Sequence, residues 1–176
     1  MAATRENEAL VMVRDVTERK RAEKKLQYVG THDALTGLYN RAYLEAEFAR
    51  IERAGGPFPV SVVMMDVDGM KSINDSQGHG AGDALLRRAA MVLATTFRSG
   101  DVVSRIGGDE FAALLPGADA SLVEKALIRV KRSLAVDNAT HPGNILSLSL
   151  GGATGDKGCR LADIMREADN RMYQEK

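Results

Sequence analysis

Cysteine occurs once in 176 residues, at Cys159. An intrachain disulfide framework and a Cys-rich zinc site are both excluded. The three histidines, His32, His79 and His141, are widely separated and show no metal-ligand spacing. Charge of one sign is not in excess: 24 basic residues balance 24 acidic ones. Bulk electrostatics therefore give no reason to expect nucleic acid or an anionic membrane as partner, and any anionic ligand must be held by local charges. No apolar run approaches the length needed to span a bilayer. The N-terminus has no signal-peptide pattern. The chain reads as cytoplasmic, although a longer parent protein could be membrane-anchored. No internal repeat is visible.

What is present suits one compact domain with a short appendage. Apolar residues make up 44% and charged residues 27% of the chain, the balance of a globular protein. Residues 1–29 read as the appendage. Val11 and Val13 mark a short strand, and Thr17 is placed to cap the charged helix that follows. Ala22, Leu26 and Val29 recur at helical spacing, a narrow apolar stripe that suits a two-helix seam.

Residues 30–176 read as the main domain. Asn40 is a candidate cap for a helix with Leu44, Phe48 and Ile51 on one face. "VSVVMMDVD" is β-branched and apolar, a buried strand. A helix from about Gly82 to Phe97 turns Leu85, Ala89, Val92 and Leu93 inward. "VVSRIGGDEFAALLP" is two strands around a Gly-Gly turn. Leu122, Ala126, Val130 and Leu134 mark another helix. "NILSLSLGGA" alternates at period two, as a half-buried strand does. Leu161, Ile164, Met165, Ala168 and Met172 mark the last helix. Strands grouped in a hairpin between helices predict an α+β fold, with helices packed on a largely antiparallel sheet.

Chemistry concentrates in two places. Asp66 and Asp68 end the apolar strand and, two residues apart, point to one face. Carboxylates there must be solvated, paired or bound to a cation. Magnesium bound with nucleotide phosphates typically takes one or two carboxylates and fills its other positions with phosphate and water. Lys71 follows closely and could meet a phosphate. An EF-hand loop is excluded, because Met70 and Gln77 stand where it needs acids. In the hairpin, Gly107 and Gly108 permit φ > 0 and close approach of a ligand to the backbone. Asp109 and Glu110 follow, at the tip or just inside the return strand, and repel unless a cation offsets them. Neither Asp66 nor Glu110 is expected in the core.

Four strings then align with one family. "GGDEF" is its signature, present letter for letter. "DALTGLYNR", "DVDGMKSINDSQGHGAGD" and "ADNRMYQEK" match its other motifs, in order, over residues 30–176. The chain resembles a GGDEF-family diguanylate cyclase catalytic domain. The stretch "RDVTERKRAEKKL" resembles the exit from a PAS-type sensor into a signalling helix. The resemblance implies the palm-like nucleotide cyclase and polymerase fold, with its ferredoxin-like core. It implies two GTP molecules condensed to cyclic di-GMP across a two-fold homodimer.

The site residues follow from the same resemblance. Magnesium (manganese as alternative) would be held by Asp66, the Val67 carbonyl and an acid of the hairpin. Asp109 and Glu110 share metal binding and assistance at the ribose, in a division the sequence leaves open. Asn74 and Asp83 match guanine-reading positions, and Lys71 and Lys176 match phosphate contacts. Asp68 supports the site, while His79 and Asp75 shape the loop. Arg98 and Asp101, with Arg129 on the next helix, match an inhibitory product site. Without the family context, Arg98 and Asp101 would read as a surface ion pair.

Overall fold

The computed structural model describes residues 17–175, with the side chains of Ala22 and Lys24 left out. The strand expected at Val11 and Val13 therefore lies outside the described residues, as do Lys176 and the Ala22 part of the helical stripe. The elements run α1 (Thr17–Thr31), β1 (Tyr39–Asn40), α2 (Arg41–Ala54), β2 (Val60–Val67), α3 (Met70–Gln77), α4 (His79–Thr96), β3 (Val102–Gly107), β4 (Glu110–Pro116), α5 (Ala120–Thr140), β5 (Leu148–Gly155) and α6 (Leu161–Glu175). One sheet forms in the order β1-β3-β4-β2-β5. β1 and β3 run parallel, and the other pairs are antiparallel. The fold is the expected α+β arrangement.

Burial explains why β2 is apolar along its whole length. Val60, Val62 and Met64 face α2 and α6, meeting Leu44, Phe48, Ile51, Leu161 and Ile164. Val63, Met65 and Val67 face α4 and α5, meeting Leu85, Ala89, Leu93, Ala126 and Val130. A strand covered on both faces shows no alternation in sequence. Asn40 caps α2 as expected: its side chain accepts a bond from the Tyr43 amide at 3.0 Å.

Three expectations are corrected. The helix placed from Gly82 begins at His79, and a separate helix, α3, precedes it. Gly82 is a packing residue inside α4, because a Cβ there would overlap the Asn74 side-chain oxygen. On α5, Leu122 is exposed and Val123 takes the buried position. On β5, both faces are covered, so it is not half-buried. Its period-two pattern has another cause. α6 lies directly on the strand: a Cβ at Gly151 would overlap the Ala168 carbonyl and the Met172 amide, and one at Gly155 would overlap Ile164. Small residues are needed on that face.

α1 exposes Leu26 (73%) and Val29 (63%), so the stripe is not consumed by this domain. The helix end is tied by a run of rings. Tyr28 stacks on His32 at 3.9 Å, His32 meets Tyr39 at 4.8 Å, and Tyr39 stacks on Tyr43 at 3.9 Å.

Candidate active site

The β2–β4 register puts Asp66 directly opposite Glu110. Both carboxylates thus share one sheet face near the open end of the sheet, and like charges placed directly opposite destabilise a sheet unless something offsets them. Asp66 is only 5% exposed, which corrects the expectation that it lies outside the core. Glu110 is half-buried and opens β4. Its field extends to Arg41, whose guanidinium is held protonated first by its Glu45 partner at 2.8 Å and also by Glu110.

Asp66 and Asp68 do not form the twin pair expected from their spacing. β2 ends at Val67, so Asp68 lies in the turn beyond it. The Asp68 carboxylate accepts from the Ser147 and Ser149 hydroxyls, each at 2.6 Å. The Val67 amide donates to the Asp109 carbonyl at 3.0 Å and so ties the hairpin tip to the end of β2. Of the two turn glycines, Gly108 alone takes a positive φ, of 44°. A Cβ at either glycine would meet no protein atom, so the space beside the turn is open to a ligand. A bulge between Arg105 and Gly107 sets the turn.

Next to the turn lies an open cleft of about 440 Å³, lined by Lys71, Asn74, Asp83, Gly108, Asp109 and Arg105, among others. Five of these were singled out from sequence. His79 and Asp75 also line it. Asp83 is half-buried and Lys71 exposed. Asn74 Oδ1 is buried and has no hydrogen-bond partner among the described residues. That oxygen packs against Gly82, and Asn74 itself lines the cleft.

Arg105 and Asp33 carry functions that sequence reasoning missed. Arg105 donates to the Gly108 carbonyl from Nε at 3.0 Å and from Nη2 at 2.7 Å. Its Nη1 reaches both oxygens of Asp33, at 3.1 and 3.2 Å. Burial by itself would raise the Asp33 pKa. Bonds from Thr36 and Arg105 outweigh it, and the carboxyl sits below the ordinary Asp range. The pair fixes the hairpin tip to the "DALTGL" loop. Asp33 stood in a quoted motif, but nothing in one sequence joins positions 33 and 105.

Arg98 and Asp101 form the ion pair itself, Nε to Oδ1 at 2.9 Å, and Arg98 Nη2 also donates to the Pro116 carbonyl. Both line a cavity of about 420 Å³ with His32 and Tyr39. Arg129 does not line that cavity. Its Nε donates to the Thr96 carbonyl at 2.5 Å, and its side chain borders a groove between α4 and α5.

A divalent cation fits the donor set tested at Asp66 and Glu110. Two opposed carboxylates supply charge and hard oxygen ligands. Among the described residues, no group of three or more His, Cys, Asp or Glu is gathered for a metal. No helix of the described residues is long and apolar enough to cross a membrane.

The chain is similar to known proteins. The chain is 35% identical over 178 residues to the probable diguanylate cyclase DgcE of Escherichia coli (strain K12), covering 96% of this chain and 16% of that protein. It is 33% identical to diguanylate cyclase DgcM of the same organism, covering 95% of this chain and 41% of that one. The chain thus spans less than half the length of either relative. Among solved structures it is similar to the coiled coil and GGDEF domain of DgcB from Caulobacter crescentus in complex with c-di-GMP. There the TM-score is 0.77 at 25% identity, over 90% of this chain and 86% of that one. The family model of the diguanylate cyclase GGDEF domain matches residues 30–176. With that span matched and the same fold found around the "GGDEF" hairpin, the chain belongs to the GGDEF diguanylate cyclase domain family.

Proposed function

We propose that this domain condenses two GTP molecules into cyclic di-GMP and releases two pyrophosphates. The observation that carries this reading is the register of Asp66 opposite Glu110, beside a cleft with an unpartnered Asn74 acceptor. Each domain binds one GTP. Asn74 and Asp83 accept from the guanine N1–H and N2–H₂ donors, Lys71 and Lys176 meet phosphate, and Gly107 and Gly108 let the nucleotide approach the turn. Asp66, the Val67 carbonyl and Glu110 hold magnesium, with manganese as substitute, and Asp109 completes the acidic turn. Bound there, the cation offsets charge on the triphosphate.

The 3′-hydroxyl of one GTP attacks the α-phosphate of the other. The new P–O bond forms as the bond to pyrophosphate breaks, and Glu110 or Asp109 receives the hydroxyl proton. Positioning and electrostatics supply most of the rate. One domain holds one nucleotide, so two copies face each other in two-fold symmetry and both bonds form across the homodimer. Residues 1–29 form a sensor exit and signalling helix, and residues 30–176 the cyclase domain. Pairing along α1, where Leu26 and Val29 are exposed, raises the effective concentration of the catalytic domains. Arg98 and Asp101 bind the product. We place the domain in the cytoplasm, with no nucleic-acid partner.

Base selectivity tests the assignment. Pyrophosphate release with GTP should exceed that with ATP, and Asp83→Ala should reduce the preference by about ten- to a hundredfold, the worth of a hydrogen bond to a charged acceptor. Equal turnover of ATP and GTP by the unmodified chain would refute it.

A further inference from the structure

The Asp68 carboxylate is occupied at both oxygens. Ser147 Oγ donates to Oδ2 and Ser149 Oγ to Oδ1, each at 2.6 Å. The Asp68 amide also donates to the Ser147 carbonyl at 3.0 Å. Asp68 is thus bound to β5 and its approach through three hydrogen bonds. The residue before it, Val67, is bound to the hairpin through the Asp109 carbonyl. Ser149 stands directly opposite Asp66 in the β2–β5 register, yet its hydroxyl turns to Asp68.

A second network delivers Ser147 to this position. Arg88 is buried, at 6% exposure. It donates to Asp137 at 2.5 Å, to the Asn144 carbonyl at 2.5 Å and to Asn138 Oδ1 at 2.6 Å. Asn138 in turn bonds both the amide and the carbonyl of Leu146, at 2.8 and 2.9 Å. The segment before β5 is therefore held to α4 and α5 up to the residue preceding Ser147. The brace on Asp68 is anchored to the core.

We propose that Ser147 and Ser149 are positioning residues: they hold Asp68 as a strut, so that Asp66 and the Val67 carbonyl are presented to the cation while Asp68 is withheld from it. The inference rests on the reading that Asp66 and Glu110 bind a divalent cation. It assigns the second acid of "DVD" to the geometry of the turn, and two serines 79 and 81 residues away to its control. Outer partners of this type typically tune metal affinity by about ten- to a hundredfold.

The test uses the full chain, magnesium and a GTP analogue with a methylene between the α- and β-phosphorus atoms, so that binding is read without turnover. Ser147→Ala/Ser149→Ala should raise the magnesium concentration for half-maximal nucleotide binding by about ten- to a hundredfold. Ser147→Thr, which keeps the hydroxyl, should bind as the unmodified chain does. Asp68→Ala combined with the two serine changes should be no worse than Asp68→Ala alone, since all three remove one interaction. Unchanged magnesium dependence in the double variant, or additive losses in the triple, would overturn the proposal. Ser147 is exposed, so Ser147→Ala alone serves if the double variant does not fold. Hydrogen exchange at the Val67 and Asp68 amides, in protein without nucleotide, separates the two readings. Faster exchange in Ser147→Ala supports the brace even if the unmodified chain binds no magnesium–nucleotide, an outcome that would refute the metal assignment. Unchanged exchange removes the brace.

Discussion

At the scale of single residues, the site is a set of paired obligations. Asp66 faces Glu110 across the sheet, Asp68 is taken up by two serines, and Arg105, itself held by Asp33, donates to the Gly108 carbonyl. The first pair sets two acids opposite each other, and the proposed cation site is there. Asp66→Asn and Glu110→Gln keep shape and remove charge. Each should lower turnover by on the order of a hundredfold, as loss of one preorganised electrostatic contact does. Thermal melting should show that both variants still fold, which matters more for the buried Asp66 than for Glu110. Unmodified rates with magnesium still required would contradict the assignment. Read from one sequence, the acids and glycines were visible because each breaks a local expectation. Charged residues end an apolar strand, and two glycines interrupt an apolar hairpin. Asp33, Arg105, Ser147 and Ser149 break none, since their meaning lies in contacts made 72 to 81 residues away.

At the scale of elements, periodicity carried most of the fold. Leu44, Phe48 and Ile51, or Leu85, Ala89 and Leu93, report a helix face without further help. α3 was not legible, because Met70–Gln77 buries Met70 but has no sustained stripe. β1, two residues long, is too short to carry a pattern. β5 was legible as a strand but misread in burial, since its small residues answer to the α6 backbone and not to solvent. Gly151→Ala tests that cause: the added methyl should destabilise the fold by about 1–3 kcal/mol, the usual range for overpacking. Urea denaturation reads it, and an unchanged midpoint would mean that α6 has room to move. The α4–β3 connection carries the proposed product site. Arg98→Ala should raise the cyclic di-GMP concentration needed for half-inhibition, relative to the unmodified chain. Equal sensitivity in both would return Arg98 and Asp101 to an ordinary surface ion pair, worth about 0–1 kcal/mol.

At the scale of the molecule, one sheet organises every proposed role. β2 carries Asp66, the hairpin of β3 and β4 carries Glu110 and the turn, and β5 approaches with the serines that hold Asp68. α3 and α4 cover one side of the cleft with Lys71, Asn74 and Asp83. A single copy presents one such cleft, while cyclic di-GMP contains two phosphodiester bonds between two guanosines. The account therefore requires two copies, and the proposed pairing element is α1, where Leu26 and Val29 are exposed. The most direct test is to incubate the purified chain with GTP and magnesium over a range of protein concentrations and to identify the product by mass spectrometry. The account predicts cyclic di-GMP, made at a rate per molecule that rises with protein concentration until dimers saturate. GTP left intact at every concentration, or converted only to GDP, would contradict it.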